Sequence, residues 1–174
     1  MIHIYMTKEA ENPSQAAHEI LRKVLATEYG IGELEILYQP QGKPYIPGGP
    51  CFSISHSRGY AAVAISDQPL GLDVEAVRPV HERLPERIFS RGELEWFRRR
   101  GSLRADFFTL WTLKESYYKY VGSGLPGFPN GTDFYFDGSW HLRGENLWFH
   151  TTEEGTLLLT LCGEKQSQVR IHWM

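Results

Sequence analysis

Cysteine is scarce in this chain of 174 residues, with Cys51 and Cys162 its only two. Two thiols are too few for a disulfide scaffold or a zinc cage, and a reducing cytoplasm is the simplest setting. Long apolar runs are missing as well. Nothing approaches the ~18 consecutive apolar residues of a membrane span, so no membrane association is expected. The first eleven residues hold Lys8, Glu9 and Glu11 and no apolar stretch of the kind found in secretory leaders, so none is expected. There is no excess of positive charge either. The net charge of −3 gives no general attraction for nucleic acid. No sequence repeat links one part of the chain to another. Hydrophobic residues at 41% and charged residues at 22% supply enough apolar material for one compact unit, which can contain two subdomains.

Two short carboxylate motifs stand out against this ordinary background. The first is Gly71, Leu72, Asp73, Val74, Glu75; the second runs from Trp111 through Lys114, Glu115 and Ser116 to Lys119. In an extended strand, residues i and i+2 point to one face, which aims Asp73 and Glu75 the same way. In a helix, residues i and i+4 lie one turn apart, which stacks Glu115 and Lys119. A helix laid against such a strand gathers three carboxylates around a point, with a lysine beside them. Oxygen ligands of this kind suit Mg²⁺, which uses a few carboxylates together with substrate phosphates and water. The pattern therefore reads as a phosphate-handling metal site. Taken singly, each piece has a plainer explanation. An isolated Asp-x-Glu is usually the wet face of an edge strand, and Glu115 with Lys119 alone is a helical ion pair worth a few tenths of a kcal/mol.

The combination is more specific than its parts. Gly-x-Asp-x-Glu, then Trp-x-x-Lys-Glu-Ser-x-x-Lys, then Gly122, Ser123, Gly124 and Leu125 resembles the signature of the Sfp-type 4′-phosphopantetheinyl transferases. Upstream, Gly42, Lys43, Pro44 and Tyr45, and the run Phe52, Ser53, Ile54, Ser55, His56, Ser57, resemble that family's two coenzyme A-contacting motifs. Residues 87–93 are similar to its link between the metal motifs. The resemblance covers residues 42–125 in order. It implies an α+β fold of two pseudosymmetric α/β halves with the ligand cleft between them. It also implies transfer of the phosphopantetheine arm of coenzyme A to a serine of an apo acyl or peptidyl carrier protein, releasing adenosine 3′,5′-bisphosphate. On this resemblance Asp73, Glu75 and Glu115 hold Mg²⁺. Glu115 also takes the serine proton, directly or through a metal-bound water. Lys119, assisted by Lys114, offsets charge on the leaving phosphate, and Lys43, Ser55 and His56 contact coenzyme A. Lys43 follows a turn glycine and precedes Pro44, a fixed position expected to be exposed. The family usually carries several basic residues near the start of its first helix, whereas residues 1–20 here hold only Lys8.

Periodicity and turn signals predict the remaining elements. Strands are expected at 2–6, 34–38, 51–55, 60–66 and 70–75. A helix should start at Asn12 and Pro13, with Gln15 as capping-box partner, and close at Gly30. Ser90 with Glu93 predicts a second helix ending near Gly101, and 105–121 predicts a third. Strands follow at 132–136, 140–143, 147–151, 156–162 and 169–173, the first two joined by a turn at Asp137 and Gly138. Strand, helix and meander thus occur twice, an α+β chain in two halves, 1–69 with the coenzyme A motifs and 70–174 with the metal site and carrier contacts. One chain with one motif set should work as a monomer. The segment 125–128 is either a packed turn or an apolar contact for the carrier, and the resemblance implies the contact. Between Arg78 and Arg104 lie eight of the twelve arginines against four acids, either a solvated face or a docking surface for an acidic partner. Two other functions fit parts of the pattern: a non-catalytic binder of coenzyme A or carrier proteins, and a metal-dependent nuclease. The nuclease reading is disfavoured by the negative net charge and by an acid and lysine four apart on a helix.

Overall fold

Apolar strands gather this chain into two main sheets with helices on their outer faces, and two short two-stranded sheets lie beside them. The computed structural model describes residues 1–32, 35–123 and 131–174. In chain order the elements are β1 (Ile2–Thr7), α1 (Pro13–Glu28), β2 (Leu37–Tyr38), β3 (Pro44–Tyr45), β4 (Cys51–Ser57), β5 (Tyr60–Ser66) and β6 (Leu70–Ala76). They continue with α2 (Leu84–Ile88), α3 (Arg91–Arg99), α4 (Arg104–Val121), β7 (Phe134–Phe136), β8 (Trp140–Leu142), β9 (Trp148–Glu154), β10 (Leu157–Gly163) and β11 (Val169–Trp173). One sheet has the order β11-β1-β5-β4 and another the order β6-β10-β9.

On β6, Leu70, Leu72, Val74 and Ala76 turn inward and meet Leu157, Leu159 and Leu161 of β10 and Ile2, Ile4 and Met6 of β1. These residues form a core between the two sheets. The opposite face of the first sheet, with Tyr5, Ala61, Val63 and Ile65, is covered by Ala17, Ile20, Leu21, Val24 and Leu25 of α1. The opposite face of the second sheet is covered by α3 and α4 through Phe97, Phe107, Phe108, Leu110 and Leu113, packed with Phe149, Leu158 and Cys162. The result is a helix, sheet, sheet, helix layering. Each sheet is built from a strand, a helix and an antiparallel hairpin whose second strand lies in the middle, β1-β5-β4 in one and β6-β10-β9 in the other.

Helix ends follow the local chemistry. Asn12 caps α1 by accepting from Gln15 N–H at 3.1 Å, but the Gln15 side chain donates to Glu19 instead of returning to Asn12, so the capping box is half made. Gly30, at φ 68°, lets Ile31 N–H reach back to Leu25 O and ends the helix. At α3 the box is complete, with Ser90 Oγ accepting from Glu93 N–H and Glu93 accepting from Ser90 N–H.

Several expectations need correction. The last strand leaves the second half: β11 pairs in parallel with β1, so the division expected at residue 69 is crossed by the C-terminal strand. The short helix α2 lies in a stretch whose sequence gave no helical signal beyond Pro85 at its start. The hairpin β7–β8 turns on Asp137, Gly138 and Ser139, one residue more than expected. The expected strand at 34–38 is seen as β2; Leu34 lies outside the described residues. Among the described residues, no helix is long and apolar enough to cross a membrane.

Candidate active site

A glycine brings the two acidic motifs together. At Gly71 a Cβ would lie 2.0 Å from Ser116 O and 2.5 Å from Tyr120 N, both backbone atoms of α4. With no side chain there, α4 seats directly on β6. Asp73 and Glu75, two and four residues along the same face, then meet Glu115 and Lys119. The four line one open pocket of ≈ 480 Å³, together with Ser14 and His18 of α1, Gly42, Lys43 and Pro44, Ser55 and His56 of β4, and Tyr118 and Gly122 of α4. Both sheets and both large helices contribute to its wall.

The charges inside are only partly compensated. Lys119 Nζ lies 2.8 Å from Asp73 Oδ1 and donates at 2.8 Å to Ser55 Oγ. Asp73 is buried, and its Oδ2 has no hydrogen-bond partner among the described residues. Burial pushes its carboxyl above the usual carboxylate range, against the pull of Lys119. Glu115 is pushed up to about 7, first by burial and then by the neighbouring Asp73 charge. Glu75 is held by the Arg78 guanidinium and by Ser57 Oγ, which donates to it at 2.6 Å.

Among the described residues, no group of three His, Cys, Asp or Glu side chains is drawn close enough to hold a metal ion. The three acids expected to converge share a pocket, but Lys119 and Arg78 now occupy the oxygens of two of them. The chemistry nevertheless fits a hard cation. An orphaned buried carboxylate oxygen calls for a partner, and an acid resisting ionisation beside it marks a site short of positive charge. Asp73, Glu75 and Glu115 are the residues that could hold such a cation.

Other expected site residues fall differently. Lys114 does not enter the pocket. It is wholly buried on the other side of α4, 2.8 Å from Glu93 Oε2 and donating to Thr132 O and Oγ1, so its expected help at a phosphate is withdrawn. Lys43 borders the pocket, but its ammonium donates to Tyr120 O at 2.7 Å and Leu70 O at 3.4 Å. It caps the C-terminal end of α4 and is half-buried, not exposed as its turn position suggested, and burial lowers its pKa. Ser55 lies in the wall, yet its hydroxyl is committed inside the protein, donating to Asp73 Oδ1 and accepting from Val74 N–H and Lys119 Nζ. Without ligand, that hydroxyl serves the protein's own carboxylate, lysine and backbone. His56 is exposed at the pocket edge, as a polar residue near a strand end should be. Gly124, Leu125 and the expected carrier contact at 125–128 lie outside the described residues.

Sequence reasoning missed Ser57 and Arg78 as the partners of Glu75. The signal was present for Ser57, since Ser53, Ser55 and Ser57 repeat every second residue as Gly71, Asp73 and Glu75 do. Arg78 had no comparable signal, because its reach back over three residues depends on how the chain leaves β6.

Comparison with known proteins shows the family of this chain. Residues 69–167 match the 4'-phosphopantetheinyl transferase superfamily. The chain is 34% identical over 110 residues to 4'-phosphopantetheinyl transferase gsp of Aneurinibacillus migulanus, covering 61% of this chain and 46% of that protein. It is 32% identical over 124 residues to 4'-phosphopantetheinyl transferase Sfp of Bacillus subtilis (strain 168), covering 68% of this chain and 55% of that protein. It is also 32% identical over 143 residues to the L-aminoadipate-semialdehyde dehydrogenase-phosphopantetheinyl transferase of Xenopus laevis, covering 71% and 47% respectively. The chain thus spans about half the length of the relatives it matches.

Proposed function

The chain belongs to the 4'-phosphopantetheinyl transferase superfamily, in its Sfp-type branch, and from that premise we propose that it moves the 4′-phosphopantetheine arm of coenzyme A onto a serine of an acyl or peptidyl carrier protein. The observation that carries the reading is the meeting of Glu115 and Lys119 with Asp73 in one pocket, with acid in excess of its compensation. In the reaction, the serine Oγ forms a bond to the phosphorus that bears the pantetheine arm. The bond from that phosphorus to the bridging oxygen breaks, and adenosine 3′,5′-bisphosphate leaves with the electron pair. Catalysis of such a transfer is mostly positioning and charge neutralisation.

Mg²⁺ held by Asp73, Glu75 and Glu115 would neutralise pyrophosphate charge. Glu115 takes the serine proton, directly or through a metal-bound water. Lys119 exchanges its bond to Asp73 for one to the phosphate, carrying positive charge to the leaving oxygen. His56, exposed at the pocket edge, meets the anionic end of coenzyme A. We read the two strand, helix and hairpin units as pseudosymmetric halves and the pocket as the ligand cleft between them. One chain then completes one site as a monomer, in a reducing cytoplasm where its two thiols stay free.

The test mixes the protein with an apo carrier protein, coenzyme A and Mg²⁺ and weighs the carrier. A gain of one phosphopantetheine arm, abolished by chelator and restored by Mg²⁺, supports the reading. No gain across carriers of fatty acid, polyketide and nonribosomal peptide synthesis rejects it.

A further inference from the structure

Among the described residues, the free edge of β6 is not paired with another strand's backbone; it is read by serine hydroxyls. In its sheet β6 pairs with β10 on one side, leaving Leu72, Val74 and Ala76 N–H pointing toward β4. Ser53 Oγ accepts from Leu72 N–H at 2.9 Å, Ser55 Oγ from Val74 N–H at 3.1 Å and Ser57 Oγ from Ala76 N–H at 3.3 Å. The separation is 19 residues at every rung, so the two strands run in a fixed register joined by side chains. Buried N–H groups need partners, and this ladder supplies them where the two sheets meet.

A hydroxyl has one hydrogen to donate besides its acceptor lone pairs. Ser55 gives its hydrogen to Asp73 Oδ1 at 2.8 Å, and Ser57 gives its own to Glu75 Oε2 at 2.6 Å. Both acids lie 18 residues on from their serine. The position 18 residues on from Ser53 is Gly71, which has no side chain to receive a hydrogen. The ladder therefore has one purely structural rung and two that also grip a carboxylate. At Ser55 the hydroxyl is fully used, with Val74 N–H and Lys119 Nζ donating to it. Asp73 Oδ1 is pinned between Ser55 and Lys119, and Oδ2 is the oxygen left over.

We propose that Ser55 and Ser57 are positioning residues that fix the rotamers of Asp73 and Glu75, so that β4 of the first sheet sets the cation geometry of the second. The inference rests on the reading of Asp73 and Glu75 as cation ligands, and it makes Ser53 the internal control. Groups that orient metal ligands typically cost about 10–100-fold in affinity when removed.

The experiment measures Mn²⁺ binding to the full chain by electron paramagnetic resonance in Ser53→Ala, Ser55→Ala, Ser57→Ala and Ser55→Thr, alongside urea unfolding and crystal structures of each. All three alanine variants lose a rung and should be destabilised, Ser55→Ala the most because its hydroxyl also bonds Asp73 and Lys119. Mn²⁺ affinity should fall about 10–100-fold in Ser55→Ala and Ser57→Ala, stay within about twofold of wild type in Ser53→Ala, and recover in Ser55→Thr, which keeps the hydroxyl. Equal weakening in all three, or none in any, would overturn the proposal by reducing the ladder to a sheet fastener. The structures decide the matter without any metal. The Asp73 carboxylate should turn in Ser55→Ala and the Glu75 carboxylate in Ser57→Ala, with neither moving in Ser53→Ala. Unmoved carboxylates sink the positioning role, whereas turned carboxylates in a protein that binds no Mn²⁺ sink the cation reading and keep the ladder. If one variant fails to fold, the other acid-gripping rung carries the same test.

Discussion

Helix α4 carries two lysine–carboxylate pairs five residues apart, and they are built on opposite terms. Lys114 and Glu93 are both fully buried at 2.8 Å, and every polar atom of the pair is spoken for. Among the described residues the ammonium meets Glu93 and Thr132 O and Oγ1, while the carboxylate also receives Ser90 and Phe134 N–H. Lys119 and Asp73 are also 2.8 Å apart, but the lysine side chain is 30% exposed, and one carboxylate oxygen is buried without a partner among the described residues. The same chemistry is closed in one place and left open in the other. A finished buried pair binds α3, α4 and the start of β7 together. An unfinished one stores an unmet demand for positive charge, which a cation or a phosphate-bound lysine exchange can answer.

The largest effect should come from breaking the closed pair. Glu93→Ala leaves a buried ammonium uncompensated, and removing one partner of such a pair costs about 3–5 kcal/mol. Urea unfolding should show that loss, while transfer per folded molecule stays close to wild type. A large fall in specific activity with unchanged stability would mean that Lys114 serves the reaction after all.

The open pair and its neighbour should answer the other way. Glu115→Gln or Asp73→Ala should lower transfer by about 10²–10³-fold, equivalent to about 2.7–4 kcal/mol, as removal of one electrostatic group from a reacting site does. Stability should hold or rise in Glu115→Gln, because that change removes a carboxyl that burial and the neighbouring Asp73 charge penalise. Wild-type rates in either variant would dissolve the distinction between the two pairs.

The pH dependence of stability sharpens the same contrast. The Glu115 carboxyl is raised from 4.5 to about 7 in the folded chain, so folding favours its protonated form. That contribution is fully present below about pH 4.5 and is lost as pH rises through about 7. Above that point the site holds an ionised carboxylate that a divalent cation can relieve, and cation binding competes with protons. Added Mg²⁺ should therefore raise Tm more at pH 8 than at pH 5.5, and Glu115→Gln should flatten the difference. A Tm increment independent of pH in the wild type would place the cation away from Glu115.

Much of this was legible in the sequence because local rules sufficed. Period-two alternation gave β1, the turn residues on either side gave β5 and β6, the Ser90 and Glu93 box gave the start of α3, and the i to i+4 spacing put Glu115 and Lys119 on one face. Legibility stopped where a side chain chooses between distant partners. Lys114 and Lys119 read alike in a helix, and which of them turns inward depends on where Glu93 and Asp73 arrive from other elements. Lys43 follows a turn and reads as exposed, but the carbonyl end of α4 captures it. The pairing of β11 with β1 joins strands 167 residues apart at Ile2 and Val169, and no local signal reports such a contact.

A third kind of pair, wholly in solvent, should matter least. Arg98 lies 3.2 Å from Glu86 with both side chains more than half exposed, and Arg99 Nε donates to Glu95 O. Arg98 borders a separate surface recess with Pro85, Glu86 and Phe97, and none of the eight arginines between Arg78 and Arg104 lines the main pocket. Exposed pairs contribute about 0–1 kcal/mol to stability, so Arg98→Glu with Arg99→Glu should barely move the unfolding midpoint. Their field still reaches outward over a screening length of ~8 Å at physiological ionic strength, enough to speed the approach of an acidic partner. The double variant should raise KM for an acidic carrier protein about threefold to tenfold at low salt, under ~1.4 kcal/mol, and the gap should close as salt is added. KM for coenzyme A should not change, because the main pocket is untouched. A KM for the carrier that is the same as wild type at low salt would make this stretch a solvated face and nothing more. A matching rise in KM for coenzyme A would show instead that the surface charges act on the pocket itself.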